Sequence, residues 1–312
     1  MKRVSEPLNS MGAAISSADG GRPPLRIKGG QKLHGIDYAM PVASAQVKSS
    51  LLLAGLYANG ETSVTEPAPT RDHTERMLRG FGYAVETQGA RIRVRGGGSL
   101  KACTIDVPAD ISSATFFLVG ASIAPGSDLV LEHVGINPTR IGVLNILKLM
   151  GANLELLNAC EVGGEPVADI RVRAAKLHGI RIPEDQVPLA IDEFPAIFIA
   201  AACADGETVL TGAHELRVKE SDRIAVMAQG LKQLGIDARE TPDGIVIQGG
   251  PLRGGTVESH GDHRIAMSFA MGALRSIGTI TIKDCKNVAT SFPAFPELAT
   301  RAGLAVGVTQ DI

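Results

Sequence analysis

The stretch Leu149-Met150-Gly151-Ala152 closes a predicted apolar helix with a glycine, and the same ending recurs along the chain. Glycine readily takes the left-handed conformation that commonly ends a helix. The equivalent glycines are Gly12, Gly82, Gly151, Gly235 and Gly303, which stand 70, 69, 84 and 68 residues apart. A period near seventy residues predicts a chain built from one repeated supersecondary unit.

Each predicted unit has the order βαβαββ. A strand leads into an apolar helix that ends in a glycine turn, and a short strand, a second helix and a strand pair follow. The glycines of the first-helix turns are Gly60, Gly126, Gly206 and Gly278. Four copies are recognisable from residue 31 onward, and a fifth is represented by its second half. The fold class predicted is α/β, with helices packed inside sheets.

The repeat also predicts two lobes, which divide near residues 105–110. Residues 1–106 would be the remainder of the first lobe, with about one and a half repeats, and residues 107–312 a second lobe of three repeats. The last copy is expected to stop after one strand, 304–308. A repeat unit buries its apolar face against neighbours. We therefore expect the N-terminal lobe to be incomplete and N-terminal sequence to be lacking. The alternative is an atypical capping repeat.

The composition is that of an ordinary globular protein. The 312 residues are 21% charged and 44% hydrophobic, with a net charge of −2. This balance argues against a nucleic-acid partner, as does an aromatic content of 4% without tryptophan. The four scattered cysteines lack metal-ligand spacing, so neither a metal nor a cofactor is predicted. Without a long apolar run or a signal peptide, no membrane partner and a cytoplasmic location are expected.

The segment Glu215–Arg223 carries most of the chemistry. Six of its nine residues are charged, and the segment is predicted to lie where a strand ends and an amphipathic helix begins. Helix starts attract anions through free N–H groups. With Lys219 and Arg223 one helical turn apart and Glu220 between them, the segment predicts a site for a phosphorylated, carboxylated substrate.

The apolar first helices also open with polar residues, in Ser44-Ala45-Gln46, Asp110–Ser113, Asp192-Glu193 and Asp262–Arg264. Capping explains Asp110, Ser112 and Ser113 well, because Asp and Ser satisfy free helix N–H groups. It does not explain Gln46 or Arg264, since an arginine on the first turn of a buried helix indicates a nearby anion or cleft.

Four cations stand at repeat-equivalent helix starts, namely Arg71, Lys219, Arg223 and Arg264. They could converge on an anion in one cleft between the lobes, although each alone could equally belong to a solvated helix face. Asp192, Glu193 and Glu220 place carboxylates near them, a pattern that suits general acid/base chemistry. The alternative is a capping Asp192 and a salt-bridged Glu220. His263 could be a polar core residue or support the site, and His73 a surface residue.

Four motifs together resemble the 5-enolpyruvylshikimate-3-phosphate synthases, or 3-phosphoshikimate 1-carboxyvinyltransferases. They are Met40–Ser50, Thr70–Glu75, Glu215–Arg223 and Asp262–Met267, and the resemblance extends over essentially the whole chain. It implies the two-lobed enolpyruvyl transferase fold of βαβαββ units. It also implies transfer of the enolpyruvyl group of phosphoenolpyruvate (PEP) to the 5-hydroxyl of shikimate 3-phosphate, a step of aromatic amino-acid biosynthesis, with release of phosphate. The intact enzyme is expected to be a monomer.

The resemblance assigns roles to named residues. Those implied to hold shikimate 3-phosphate are Ser44, Ala45, Gln46, Arg71, Asp192 and Lys219, with its phosphate near Ser44 and Arg71. Those implied to hold PEP are Gln46, Arg223 and Arg264. Asp192 would take the proton of the 5-hydroxyl, Lys219 would bind ring hydroxyls, and Glu220 would handle the proton at the PEP methylene carbon.

The chain also departs from the family pattern. The Lys-Ser…Arg motif and the PEP-clamping loop that begin a family member are not in this sequence, so we expect little turnover from the 312 residues alone. The Ser-Ala-Gln form and Thr290, where many class I members have lysine, are similar to the class II branch. Two alternatives stay open: a fragment that only binds substrate anions, and a UDP-N-acetylglucosamine enolpyruvyl transferase.

Overall fold

The computed structural model describes residues 1–309. By their internal contacts, these residues form two compact units. The first comprises Met1–Val107 together with Glu161–Glu165, and the second comprises Pro108–Cys160 together with the chain from Pro166 onward. The predicted lobes of 1–106 and 107–312, with their repeat counts, stay a prediction. The grouping of Glu161–Glu165 with the first unit had no signal in the repeat pattern.

The first unit contains three helices and six strands among its described residues. In chain order they are α1 (Lys2–Ser10), β1 (Ala14–Ala18), β2 (Arg22–Lys28), β3 (Asp37–Ala39), α2 (Ala45–Gly55), β4 (Glu61–Thr65), α3 (His73–Gly80), β5 (Val85–Gln88) and β6 (Arg91–Arg95). Strands β1 and β2 form an antiparallel pair, and the other four form a sheet in the order β3-β4-β6-β5.

This sheet shows how one repeat is built. The parallel strands β3 and β4 are joined through α2, and β5 and β6 add an antiparallel hairpin after α3. Parallel neighbours need such a crossover, and a helix supplies it. Leu51 and Leu52 of α2 pack with Val64 of β4 in a core whose side chains are fully buried.

The second unit repeats the pattern. Its elements are α4 (Ile111–Ile123), β7 (Asp128–Gly135), α5 (Gly142–Leu149), β8 (Asn153–Val162), β9 (Glu165–Arg173), α6 (Phe194–Ala202), β10 (Glu207–Leu210), α7 (Arg223–Gln233), β11 (Asp237–Thr241), β12 (Gly244–Gln248), β13 (Arg253–Glu258), α8 (His263–Gly272), β14 (Ile277–Lys283), α9 (Val288–Ser291) and α10 (Phe295–Arg301). The sheets have the orders β7-β9-β8, β10-β12-β11 and β13-β14. The α/β fold class predicted from the repeat is confirmed by this alternation of strands and helices.

Helices α4, α6 and α8 lie against one another in the core of the second unit. Every residue of α6 is buried, as are twelve of the thirteen residues of α4. A helix that is apolar on all sides must be enclosed, so the side chains at its first turn can reach a site only from its N-terminal end. This packing gathers the starts of α4, α6 and α8 in one region of the second unit.

The helix-ending glycines behave as the repeat predicts. Gly12, Gly82, Gly151, Gly235 and Gly303 all have positive φ, from +72° to +101°. At Gly151 the backbone N–H donates to Lys148, and the following N–H donates to Leu147, so the helix ends in the expected left-handed turn.

Two local predictions are wrong. Residues 304–308 form no strand within the described chain, because no neighbouring strand supplies a ladder of hydrogen bonds. In addition, α7 begins only at Arg223, the last residue of the segment 215–223. A 3-10 turn over His214–Val218 precedes it, and Lys219 is extended, so Lys219 and Arg223 are not one helical turn apart.

Candidate active site

Arg223 is the central cation of the second unit. It is the first residue of α7, and its side chain has 0% exposure. Its Nε donates to Asp262 Oδ2 at 2.9 Å, and its Nη2 donates to Glu220 Oε2 at 2.5 Å. Its Nη1 lies 3.6 Å from Asp192 Oδ1. Three carboxylates therefore surround one enclosed guanidinium, and this compensates for its loss of water.

Asp262 anchors this arginine. It occupies the N-cap position of α8 and accepts from the backbone N–H of Arg264 at 2.9 Å. Burial alone would raise the pKa of Asp262, but the hydrogen bond and charge of Arg223, together with hydrogen bonds from the Arg264 N–H and the Ser221 hydroxyl, hold that pKa below its usual value. Asp262 is thus kept as a carboxylate, which fixes Arg223 from the helix side.

The Nη1 nitrogen of Arg223 differs from the other two nitrogens of the guanidinium. Among the residues that the structure describes, Nη1 is buried and has no hydrogen-bond partner. A buried N–H group without an acceptor costs free energy, and such groups in proteins call for an explanation. An anionic ligand between Nη1 and its neighbours would satisfy it.

Asp192 and Lys219 lie beside this nitrogen. Lys219 Nζ is 3.4 Å from Asp192 Oδ1 and also forms a short ion pair with Glu215. Both Lys219 and Asp192 are about one-fifth exposed, at 20% and 17%, so a ligand can reach them. The N-cap position of α6 is Glu193 rather than Asp192. Glu220 is half exposed and salt-bridged to Arg223, as its alternative interpretation stated.

Arg264 completes the second-unit group. It is the second residue of α8, and its Nη1 donates to the backbone carbonyl of Asp192 at 3.2 Å. The neighbouring His263 is half-buried. Burial and then the positive charge of Arg264 lower the pKa of His263, so its neutral form is favoured there. His263 therefore adds no cation to the site at neutral pH.

The first unit holds the other predicted residues. Ser44 caps α2, because its Oγ accepts from the backbone N–H of Val47 at 3.4 Å. Ala45 is the first helical residue, and the exposed Gln46 accepts from Arg3 Nη2 at 2.8 Å. Arg71 is half-buried in the connection before α3. Ser44, Ala45 and Gln46 thus share one helix start.

The structure therefore brings together Asp192, Lys219, Glu220, Arg223 and Arg264 in the second unit. The capping interpretation of Asp110 is confirmed, because its carboxylate accepts from the N–H groups of Ser112 and Ser113 at 3.2 and 3.0 Å. Ser112 has a second role, since its hydroxyl donates to Glu193 in a short hydrogen bond.

The sequence analysis did not predict two buried ionic clusters. In the first unit, Lys48 Nζ lies 2.7 Å from Glu75 and 3.1 Å from Glu66, and all three side chains are buried. In the second unit, Arg140 lies 3.2 Å from the buried Glu193. A lysine within the apolar helix α2 and a second carboxylate after Asp192 were the available signals, but their partners are distant in sequence.

Residues 1–309 were also compared with the requirements of a metal site and of a membrane-spanning helix. No group of three His, Cys, Asp or Glu side chains there could hold a metal ion. No helix in that range is long and apolar enough to cross a membrane.

Comparison with known proteins identifies the family. The sequence profile described as EPSP synthase (3-phosphoshikimate 1-carboxyvinyltransferase) matches residues 1–298. The chain belongs to the EPSP synthase family. It is 69% identical over 309 residues to a 3-phosphoshikimate 1-carboxyvinyltransferase of Methylococcus capsulatus, covering 99% of this chain and 71% of that relative. A relative of the same name in Nitrosococcus oceani is 68% identical, with coverages of 98% and 69%.

A solved structure supports the same family. The structure of EPSP synthase from Acinetobacter baumannii is 62% identical in sequence and superposes with a TM-score of 0.94. The match covers 99% of this chain and 72% of that one. The family resemblance carried by the four sequence motifs is confirmed, and with it the description of this chain as an enzyme of the EPSP synthase family.

Proposed function

We propose that the chain carries the 3-phosphoshikimate 1-carboxyvinyltransferase reaction, in which the enolpyruvyl group of PEP passes to the 5-hydroxyl of shikimate 3-phosphate. The observation that carries this proposal is the buried Nη1 of Arg223, which has no hydrogen-bond partner among the described residues and lies beside Asp192 and Lys219. The same small region offers a cation for an anionic donor, a carboxylate for a hydroxyl and a second carboxylate, Glu220, on Arg223.

The acceptor is assigned to residues of both units. Ser44 and Arg71 would bind the phosphate of shikimate 3-phosphate, and Ala45 and Gln46 would line the same end of the molecule. A helix start that carries a hydroxyl suits a phosphate. Asp192 and Lys219 would bind the ring hydroxyls. Because Lys219 lies 3.4 Å from Asp192, one hydroxyl between them could donate to the carboxylate and accept from the ammonium.

The donor is assigned to Gln46, Arg223 and Arg264. PEP carries a carboxylate and a phosphate, and arginine binds both in a planar, two-pronged geometry. Arg223 is held in place by Asp262 and Glu220, so its free nitrogen has a fixed direction. Binding PEP would turn an unsatisfied buried N–H into a charge-assisted hydrogen bond.

The chemistry follows from two carboxyl groups with different tasks. Glu220 would deliver a proton to the methylene carbon of PEP while the acceptor oxygen bonds to the adjacent carbon. Asp192 would take the proton that the hydroxyl loses. Glu220 would then remove a proton from the new methyl group, the double bond would reform, and the carbon–oxygen bond to phosphate would break. The cations would stabilise the departing phosphate.

Two alternatives are less well supported. A UDP-N-acetylglucosamine enolpyruvyl transferase would need relatives of that name, whereas the relatives described above are 3-phosphoshikimate 1-carboxyvinyltransferases. A fragment that only binds anions would need no carboxyl groups for proton transfer, whereas Asp192 and Glu220 stand beside the cations.

Two further points concern the length of the relatives and the branch of the family to which the chain is assigned. The chain spans 69–71% of the two relatives described. Ser-Ala-Gln at 44–46 and Thr290 support a class II-like form. A cytoplasmic, monomeric enzyme without nucleic-acid partners remains part of the proposal on sequence grounds.

Phosphate release from PEP, with and without shikimate 3-phosphate, tests this function. It should be followed for the 312-residue chain and for the same chain extended with the remaining part of the Methylococcus capsulatus relative. We expect acceptor-dependent release from the extended chain, abolished by Asp192→Asn or Glu220→Gln, and little from the 312 residues alone. No release from the extended chain would refute the function. Near-normal kcat from the 312 residues would refute only the need for further residues.

A further inference from the structure

Glu193 is a buried charge that the proposed chemistry does not use. Its side chain is 1% exposed. The Ser112 hydroxyl donates to its Oε1 in a short hydrogen bond, and Arg140 Nη2 approaches the same oxygen at 3.2 Å. Arg140 Nη2 also donates to Ser112 Oγ at 2.5 Å. The three side chains thus form a closed triangle in which Glu193 is the acidic corner.

The triangle joins elements that are distant in sequence. Ser112 lies on the first turn of α4, Glu193 is the N-cap residue of α6, and Arg140 stands two residues before α5. Helices α4 and α6 pack against α8, whose second residue is Arg264. The triangle is therefore placed at the ends of helices that also carry the site.

Arg264 touches this arrangement directly. Its Nη1 lies 3.9 Å from Glu193 Oε1 and donates to the backbone carbonyl of Asp192 at 3.2 Å. Both partners belong to the two residues before α6. The Arg264 guanidinium is accordingly in contact with residues 192 and 193.

The triangle is poorly built for stability alone. Within residues 1–309, Glu193 Oε2 and Arg140 Nε are buried and have no hydrogen-bond partner. Most buried polar groups in proteins are satisfied, and a buried ion pair often stabilises a fold no better than apolar residues of similar size. The start of α2 needs no such triangle, since the Ser44 hydroxyl caps it by accepting from the backbone N–H of Val47.

We propose that Glu193, supported by Ser112 and Arg140, is a positioning residue that holds Arg264 in the orientation needed to bind PEP. This inference rests on the proposed function, because it takes Arg264 as a ligand of the donor. Glu193 acts through Arg264 and does not itself touch either substrate.

The test compares Glu193→Gln with the unmodified 312-residue chain. Glutamine keeps the shape and an acceptor for Ser112 but removes the charge that holds the two arginines. We expect a crystal structure of the variant to show an unchanged backbone at 192–194 and a displaced Arg264 guanidinium. We expect PEP affinity, measured by calorimetry with shikimate 3-phosphate present, to fall roughly tenfold, which corresponds to about 1.4 kcal/mol. The affinity for shikimate 3-phosphate should stay within about twofold, about 0.4 kcal/mol.

Glu184→Gln is the matched control. Glu184 is an exposed carboxylate of the same unit that accepts from the Thr211 hydroxyl at 2.8 Å. This substitution should change neither affinity. A double-mutant cycle distinguishes an effect of Glu193 on PEP affinity through Arg264 from a general effect on the fold. In an Arg264→Gln background, Glu193→Gln should cost no further PEP affinity, because its partner is already gone.

Two outcomes would overturn the inference. One is an Arg264 guanidinium that keeps its position in the Glu193→Gln crystal structure, and the other is a loss of PEP affinity that adds fully to that of Arg264→Gln. If the 312-residue chain binds no PEP, the affinities are measured with the extended chain, and the crystal structures decide in either case whether Glu193 positions Arg264.

Discussion

Arg223 combines complete burial with three acidic neighbours, and each of its nitrogens has a separate environment. Nε is bonded to Asp262, Nη2 to Glu220, and Nη1 has no hydrogen-bond partner within the described residues. Only a guanidinium can serve these directions together, because an ammonium group is a single point charge. The residue that the sequence analysis marked as an anion ligand is thus also the one that connects the acidic groups of the site.

Substitution of Arg223 by lysine should weaken PEP binding and folding together. Lysine cannot reach Asp262 and Glu220 at once, so a buried carboxylate would lose its donor. We expect PEP affinity to fall at least roughly tenfold and the free energy of unfolding to fall by about 1–3 kcal/mol. Calorimetry and urea unfolding would measure these. Arg239→Lys is the control, since Arg239 is exposed beside Glu207 and Asp237 and should change neither quantity.

The buried cluster around Lys48 should matter to stability far more than an exposed pair. Lys48→Met would leave Glu66 and Glu75 buried without their cation, which costs about 3–5 kcal/mol in comparable sites. Lys176→Met, which breaks the exposed pair with Asp205, should have little effect. Urea unfolding of both variants checks this, and similar midpoints would show that the Lys48 cluster does not stabilise the first unit.

Asp262 should make the free energy of unfolding depend on pH in the acidic range. Its pKa in the folded chain lies below the ordinary value of 3.8, mainly because Arg223 outweighs the effect of burial. Its contribution is therefore complete above the unfolded pKa and is lost as the pH falls through the folded pKa. Between about pH 5 and about pH 3, the free energy of unfolding should fall more steeply for the unmodified chain than for Asp262→Asn. Parallel slopes would contradict this, since His263 titrates in both proteins.

At the scale of elements, the spacing of the repeated glycines predicted more of the helix boundaries than the hydrophobic pattern did. The recurring glycines located the helix ends, because a left-handed turn requires a residue without Cβ strain. The start of α7 and the absence of a strand at 304–308 could not be predicted in this way. The first depends on Asp222, which caps the helix by accepting from Ala225. The second depends on whether a partner strand lies alongside, which no local pattern contains.

Gly303 and Gly307 offer a matched test of this argument. Apart from the chain neighbours, no described residue places an atom within 4 Å of the position a Cβ would take at either glycine, but Gly303 has a φ of +101°. Gly303→Ala should therefore lower the free energy of unfolding by about 1–2 kcal/mol through backbone strain alone. Gly307→Ala should leave it unchanged or slightly raised. Equal thermal midpoints for the two variants would show that the helix-ending glycines are not conformationally required.

At the scale of the whole molecule, the sequence predicted the α/β repeat fold and most residues of the second-unit group. It did so because helix starts that correspond in the sequence repeat also take corresponding places in the fold. It could not supply the connections between distant segments, such as Glu193 with Arg140 or Lys48 with Glu75. Those pairs arise only when segments that are distant in sequence pack together, and each pair joins residues that share no local pattern.

The central claim is that this chain holds the acceptor of the reaction, since every residue assigned to shikimate 3-phosphate lies within it. Calorimetric titration of the 312-residue chain with shikimate 3-phosphate tests that claim most directly. We predict saturable binding at one site per chain, weakened strongly in Lys219→Met and in Arg71→Met and unchanged in Glu184→Gln. Absence of binding to the unmodified chain, or tighter binding of UDP-N-acetylglucosamine, would contradict it.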